Sequence, residues 1–284
     1  MFNKPNNYPK VLPLWALLLY LIGFSAHSAT LSFLDNGHLV KTMAIEELVR
    51  GSELITLAVN NPTDSISKNY QGFGLNLLLN AVFNSEWQGR DAIKFTALDG
   101  YQSIIPVQAI IKHQGLIAIG ENGVSRFTPL LRKNTETVDP GPFYLVWENI
   151  QDNAAQTDPW LSWPWQLTSI ELTSFEREYP QSTPPASSPE SVKNGFLGFR
   201  QHCMKCHAIN GNGGTMGPEL NYPVSVTEYW QPAWLTKFIA DPQSVRANSK
   251  MIAFEGNSDH REALIADIIE YLKVMASSKP LHRE

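Results

Sequence analysis

Thiols are almost missing from this chain of 284 residues: it has two cysteines, Cys203 and Cys206. They are too close in sequence to staple a large fold, and no other thiolate is available to a metal or cofactor. Basic tracts are missing too. The net charge is −5, and without a basic cluster the chain has no electrostatic footprint for nucleic acid. Beyond the N-terminal end there is no long apolar run, which excludes further membrane spans of helical type. No internal repeat is visible, which excludes a solenoid. Disorder is not signalled either, because 43% of the residues are hydrophobic and 17% charged, the proportions of a globular protein. The length suits two domains.

What is present begins with an address. Lys4 and Lys10 precede an apolar run from Val11 to Phe24, and the small residues Ser25, Ala26, Ser28 and Ala29 follow. A basic start, a short apolar core and small residues at a cut describe a secretory signal. The run is short of the ~20 residues that span a bilayer. Residues 1–29 are therefore expected to be a cleaved signal peptide, leaving no stable membrane span and a periplasmic protein. A second break lies at residues 180–190, Pro-Gln-Ser-Thr-Pro-Pro-Ala-Ser-Ser-Pro-Glu. Four prolines and four Ser/Thr without a large apolar residue read as an extended linker. It divides residues 30–179 from residues 191–284. Charge divides there as well: the first 190 residues carry twelve Lys/Arg against eighteen Asp/Glu, the remainder ten against nine.

The first region reads as mixed α+β. Ala92–Leu98 alternates polar and apolar residues and ends in the turn pair Asp99-Gly100, with Ile104–Ala109 expected to pair back. Phe143–Trp147 and Leu167–Leu172 also read as strands. Leu75, Leu78, Leu79 and Val82 predict a helix over Tyr70–Phe83. The second region reads as all-α, with helices at Ser191–Gln201, Trp234–Ile239 and Asp259–Met275. In the last, Leu264, Ile265, Ile268, Ile269 and Leu272 form an apolar stripe.

Cys203-Met204-Lys205-Cys206-His207 is the C-x-x-C-H pattern of covalent haem attachment. Two intervening residues let both sulfurs reach vinyl groups on one porphyrin, and His207 follows as the proximal iron ligand. The rivals are a redox disulfide and half of a zinc site. Zinc needs a second pair of ligands, Cys or His, and no such pair is apparent in the sequence. A redox disulfide belongs near a βαβ unit, whereas these flanks are helical.

The flanking residues extend the pattern. Gly195 and Phe199 precede it; Gly211-Asn212-Gly213-Gly214 and Gly217-Pro218-Glu219-Leu220 follow. Trp234-Leu235, Phe238-Ile239, Asp241-Pro242, Met251-Ile252-Ala253-Phe254 and Ile269-Glu270-Tyr271-Leu272 come next. This succession resembles a class I cytochrome c over residues 191–280. The resemblance implies one covalent haem c held by Cys203 and Cys206, with His207 and Met251 as axial iron ligands. Met216, His260 and His282 are the alternatives to Met251. It also implies that the Pro218 carbonyl orients the His207 ring, and that Gly195 and Tyr271 meet where the first and last helices cross. Ile252 stands where that family commonly has proline.

Phe95–Tyr101, Gly141–Trp147 and Trp163–Leu172 are similar to framework segments of the sulfite-oxidase-type molybdopterin-binding domain, over roughly residues 70–172. That family binds molybdenum through a cysteine thiolate, and this region has no cysteine. Arg90, Arg126, Arg132 and Lys133 are the candidates for a pterin phosphate, and a clustered anion site is not evident. The expectation is an accessory fold without molybdopterin that docks a partner or a ligand. Trp147, Trp160, Trp163 and Trp165 form either a binding face or ordinary packing. Together these readings expect an electron carrier with no catalytic residues, exchanging electrons with a periplasmic dehydrogenase and with another cytochrome or terminal oxidase. The rival is a molybdopterin-dependent oxidoreductase fused to its own haem.

Overall fold

The computed structural model describes residues 29–132, 136–254 and 258–279. Residues 1–28 of the expected signal segment, Lys133 and His282 lie outside them. The strands run β1 (Thr30–Asp35), β2 (His38–Ala44), β3 (Ile55–Asn60), β4 (Ser67–Gly74), β5 (Ala92–Ala97), β6 (Gln102–Pro106), β7 (Gly115–Glu121), β8 (Leu130–Leu131), β9 (Thr137–Val138), β10 (Tyr144–Trp147), β11 (Leu167–Thr173), β12 (Ala208–Ile209) and β13 (Asn212–Gly213). The helices are α1 (Ile45–Gly51), α2 (Leu75–Phe83), α3 (Val107–Lys112), α4 (Phe175–Glu178), α5 (Glu190–His202), α6 (Val226–Tyr229), α7 (Pro232–Ala240), α8 (Pro242–Val245) and α9 (Ser258–Ala276).

Two sheets build the N-terminal region. One has the order β2-β1-β11-β5-β6, the other β10-β7-β4-β3. All neighbours are antiparallel except β1 and β11, which are parallel. Asn36 and Gly37, both at positive φ, turn β1 back into β2, as a two-residue hairpin of this twist requires. The sheets share a core. Phe33, Ile93, Phe95, Ile105 and Ile170 of the first meet Phe73, Ile117, Leu145 and Trp147 of the second, with Leu78, Leu79 and Phe83 of α2. All seven residues of β7 are buried, so this strand shows no alternation for a sequence reading to detect.

Two expectations are corrected. Tyr70–Phe83 is not one helix: its first part belongs to β4 and only Leu75–Phe83 is helical. Gly72 and Gly74 weaken a helix there, and β4 needs Gly72, because a Cβ at that position would collide with the Ile117 carbonyl of β7. Ile104–Ala109 is likewise split, with β6 ending at Pro106 and α3 starting at Val107.

The C-terminal region is helical. α5 and α9 pack across each other at Gly195, where any Cβ would run into the Asp267 carbonyl. Tyr271 sits on the neighbouring turn, its ring 5.3 Å from Phe196 and 5.4 Å from Phe199. The glycine thus meets the α9 backbone, and the aromatic residue packs beside that crossing.

Residues 180–189 form coil without strand or helix. They are nonetheless fastened. Ser182 is buried and its carbonyl accepts the Tyr271 hydroxyl at 2.7 Å, while Asn210 Nδ2 donates to the Gln181 carbonyl at 2.8 Å. The two regions also share apolar surface. Ala92 and Ile104, on the face of β5 and β6 turned away from the first core, join Tyr179, Val192, Phe199 and Ile268 in one cluster. Arg200 of α5 lies over the Phe175 ring at 4.3 Å and the Trp160 ring at 5.5 Å. No helix among the described residues is long and apolar enough to cross a membrane.

Candidate functional site

The C-x-x-C-H segment continues the end of α5. Cys203 N and Met204 N both donate to the Phe199 carbonyl, at 2.8 and 2.9 Å, and His207 N donates to the Cys203 carbonyl at 2.9 Å. This turn keeps both cysteines beside the histidine that follows them. Met204 points into the apolar cluster and is buried.

His207 Nδ1 donates to the Pro218 carbonyl at 2.8 Å. A carbonyl can only accept, so the proton resides on Nδ1 and Nε2 keeps its lone pair for a metal. Burial lowers the His207 pKa, against the opposing effects of the Pro218 bond and Glu219. A neutral imidazole is the form that binds iron. Gly217 lies flat against this ring: a Cβ there would be 2.5 Å from Cε1 and 2.7 Å from Nδ1. Gly213 and Gly214 press as closely on the backbone of His207 and of Lys205. The glycine-rich loop is therefore a cradle around the motif, in which three side chains have been omitted to let backbone approach backbone.

One carboxylate holds the cradle together. Glu219 accepts from the backbone N–H groups of Asn210, Gly211, Asn221 and Tyr222. Asn221 is buried and donates to Asn210 Oδ1 and to the Met275 carbonyl of α9. Sequence reading assigned no role to Glu219, Asn210 or Asn221, since short polar residues in a glycine-rich stretch carry no motif.

Both cysteines are half-buried and free of a disulfide. Burial pushes the Cys203 thiol up to about 12 and the Cys206 thiol to about 11. A neutral thioether suits the same surroundings. On Cys206, Lys205 and Arg132 oppose the burial effect and Asp99 adds to it.

Met251 is half-buried in coil, with its backbone N donating to Ser249 Oγ at 3.3 Å. Three residues on, the Phe254 ring lies 4.8 Å from the His202 ring, which immediately precedes Cys203. The Met251 loop thus folds back over the end of α5. Ile252 is 70% exposed. Met216 is exposed within the cradle loop and His260 is exposed on α9. The residues fit a covalently held haem: two neutral thiols on one turn, a histidine with a free Nε2, and a cradle a Cβ would fill. Among the described residues, no group of three His, Cys, Asp or Glu side chains is arranged to hold a metal ion.

The N-terminal region touches this site directly. Gln102 N donates to the Lys205 carbonyl at 2.8 Å, and Thr215 N donates to the Gly100 carbonyl at 2.9 Å. Lys205 Nζ donates to the Pro159 carbonyl at 3.1 Å. Gly100, at φ +86°, has no room for a Cβ against Thr215. Lys250, next to Met251, pairs with Glu136 at 3.1 Å. Arg90 is bonded to Asp35, Arg132 pairs with Glu136 and lies over the Trp165 ring, and Arg126 is exposed. The tryptophans mainly pack: Trp147 is buried with Nε1 donating to the Ser162 carbonyl at 2.8 Å, and Trp163 and Trp165 flank Tyr144.

No curated protein matches the chain. Residues 190–272 match the family model described as cytochrome c oxidase, cbb3-type, subunit III. The helical C-terminal region is accordingly similar to a cytochrome c domain, which implies covalently bound haem c and exchange of electrons with redox partners.

Proposed function

We propose that the protein is an exported, periplasmic electron carrier with a single haem c and no catalytic residues of its own. The observation that carries this reading is the His207–Pro218 bond at 2.8 Å within a C-x-x-C-H turn, with Gly217 flat against the imidazole. When bound, haem supplies a one-electron iron couple. The chain's own residues do the rest. Cys203 and Cys206 would tether the porphyrin, Pro218 fixes the tautomer and plane of His207, and Met251 would provide a soft second ligand that favours ferrous iron. With His207 and Met251 both bound to it, the iron would have no site open to a small substrate. The N-terminal residues 1–29 act as the export signal. The donor is a periplasmic dehydrogenase, and the acceptor is another cytochrome or a terminal oxidase. The likeness of residues 190–272 to an oxidase subunit supports such an acceptor.

The N-terminal region is a sulfite-oxidase-type framework that does not hold molybdopterin and serves as a docking or ligand-binding domain. Its resembling segments form β5, β10, β11 and their turns. A molybdenum centre does not fit, because the region has no thiolate, and of the arginines considered for its phosphate Arg90 and Arg132 are paired with carboxylates and Arg126 is exposed. A fused molybdopterin oxidoreductase is the second reading, favoured by the direct contact of this region with the haem motif.

Metal analysis of protein purified from its native host, together with a pyridine haemochrome spectrum after denaturation, tests the choice. About one iron per chain, a covalent c-type spectrum and no molybdenum are expected. Molybdenum near one per chain would overturn the carrier reading, and haem that extracts into acidified solvent would overturn covalent attachment.

A further inference from the structure

His113 ends α3, and its ring is fully buried against two carboxylates. Nδ1 bonds Asp152, and Nε2 stands 3.4 Å from Asp158. Each carboxylate divides its oxygens. Asp152 accepts the N–H groups of Ala154 and Ala155 on Oδ1, at 3.1 and 3.3 Å, and gives Oδ2 to the ring. Asp158 accepts the Trp160 N–H on Oδ1 at 3.0 Å and turns Oδ2 to the ring. The ring therefore sits between the two ends of the loop 152–158, and at each end it faces an oxygen that the loop's own backbone does not use.

The far end of that loop lies on the haem motif. The Pro159 carbonyl accepts Lys205 Nζ at 3.1 Å, and the Trp160 ring lies 5.4 Å from Phe175 and 5.5 Å from the Arg200 guanidinium of α5. Three further charged groups belong to the surrounding elements. Glu148, at the foot of the loop, accepts the N–H groups of Ile150, Gln151 and Asp152. Lys112 is exposed on α3, and Lys205 lies across the loop at Pro159.

A neutral imidazole cannot serve both carboxylates. It has one N–H, and in either tautomer the other nitrogen turns a lone pair toward a carboxylate oxygen. Nε2 accordingly has no hydrogen-bond partner among the described residues, and the ring has no exposed surface on which water could substitute. The imidazolium has an N–H at each nitrogen and closes on both. We infer that His113 is a proton-operated latch: its imidazolium ties both ends of the loop 152–158 to α3 and so holds Pro159 against Lys205 of the haem motif, and loss of the proton releases the Asp158 end. The contribution is complete while the ring is protonated and is lost as pH rises. The carrier reading assigns no such control; through this latch the fit of the N-terminal region on the haem motif follows the acidity of the medium.

Hydrogen exchange of the full chain tests this with H113Q and D158N, read by mass spectrometry from about pH 5 to 9 and corrected for the intrinsic pH dependence of exchange. In the wild-type protein, protection of residues 150–161 is expected to fall roughly tenfold as pH rises, the weight of one hydrogen bond between charged groups, with α9 unmoved. H113Q carries no titrating proton and is expected to be flat at the low level. The side-chain amide introduced by D158N can donate to the bare Nε2, which satisfies the neutral ring at both nitrogens, so D158N is expected to be flat at the high level. A wild-type profile that is flat or rises with pH would overturn the proposal. So would a D158N profile that keeps the wild-type slope or drops to the H113Q level, because loosened packing has no reason to send the two variants in opposite directions. Should H113Q fail to fold, the wild-type and D158N profiles still decide.

Discussion

At the scale of single residues, the site depends on what small side chains leave open. Gly217→Ala would put a Cβ 2.5 Å from His207 Cε1, so the ring must tilt or the loop must retreat. Overpacking of this kind costs about 1–3 kcal/mol. Haem loading, read as Soret absorbance per chain, is expected to fall several-fold. Met251→Ala should leave haem attached, since the thioethers hold it, but open the iron to carbon monoxide. An unchanged spectrum without carbon monoxide binding would reassign the second ligand to another residue such as Met216. In the N-terminal region the buried His113 bonds Asp152 through Nδ1 and approaches Asp158 through Nε2 at 3.4 Å. The His113 bond is the largest influence on Asp152 and holds its carboxyl below the ordinary value. A depressed carboxylate stabilises the fold above its unfolded pKa, and the contribution is lost as pH falls through the folded value. Denaturant unfolding should therefore show stability contributed by Asp152 just above about pH 4 and a decline below it that Asp152→Asn removes.

At the scale of elements, the α5–α9 crossing decides whether the motif is delivered at the right place. α5 ends where the cysteines begin, and α9 is the surface it rests on. Gly195→Ala forces a Cβ into the Asp267 carbonyl, backbone that cannot turn aside. The helices must separate, and a loss of roughly 1–3 kcal/mol is expected by urea unfolding, with Gly198→Ala milder because it meets the flexible Leu264 side chain. Much at this scale was readable. The stripe Leu264, Ile265, Ile268, Ile269 and Leu272 marked α9, and the alternation over Ala92–Leu98 marked β5. Tyr70–Phe83 misled, because Leu75, Leu78 and Leu79 carry a true helical period while Gly72 answers to a neighbouring strand.

At the scale of the whole molecule, the two regions behave as one packed body. Ala92 and Ile104 belong to the same buried cluster as α5 and α9, and Arg200 is stacked between them. Trp fluorescence, dominated by the N-terminal region, and Soret absorbance should therefore report a single unfolding transition. Ile104→Asp buries an uncompensated charge in the shared cluster, a change of about 3–5 kcal/mol, and should split the two signals. Two separate transitions in the wild-type protein would show that the shared cluster does not join the regions. The chain by itself determined the haem motif, its cradle and its helices. Cys203, His207, Gly217 and Pro218 lie within one short stretch, and the likeness to a class I cytochrome c implied the contact of the Pro218 carbonyl with the His207 ring, which the structure places at 2.8 Å. Only the tertiary structure decided that Gly100 and Gln102 lie against that stretch. They are separated from it by about a hundred residues, and contacts made by backbone N–H and C=O groups leave no mark on the identity of the residues that make them.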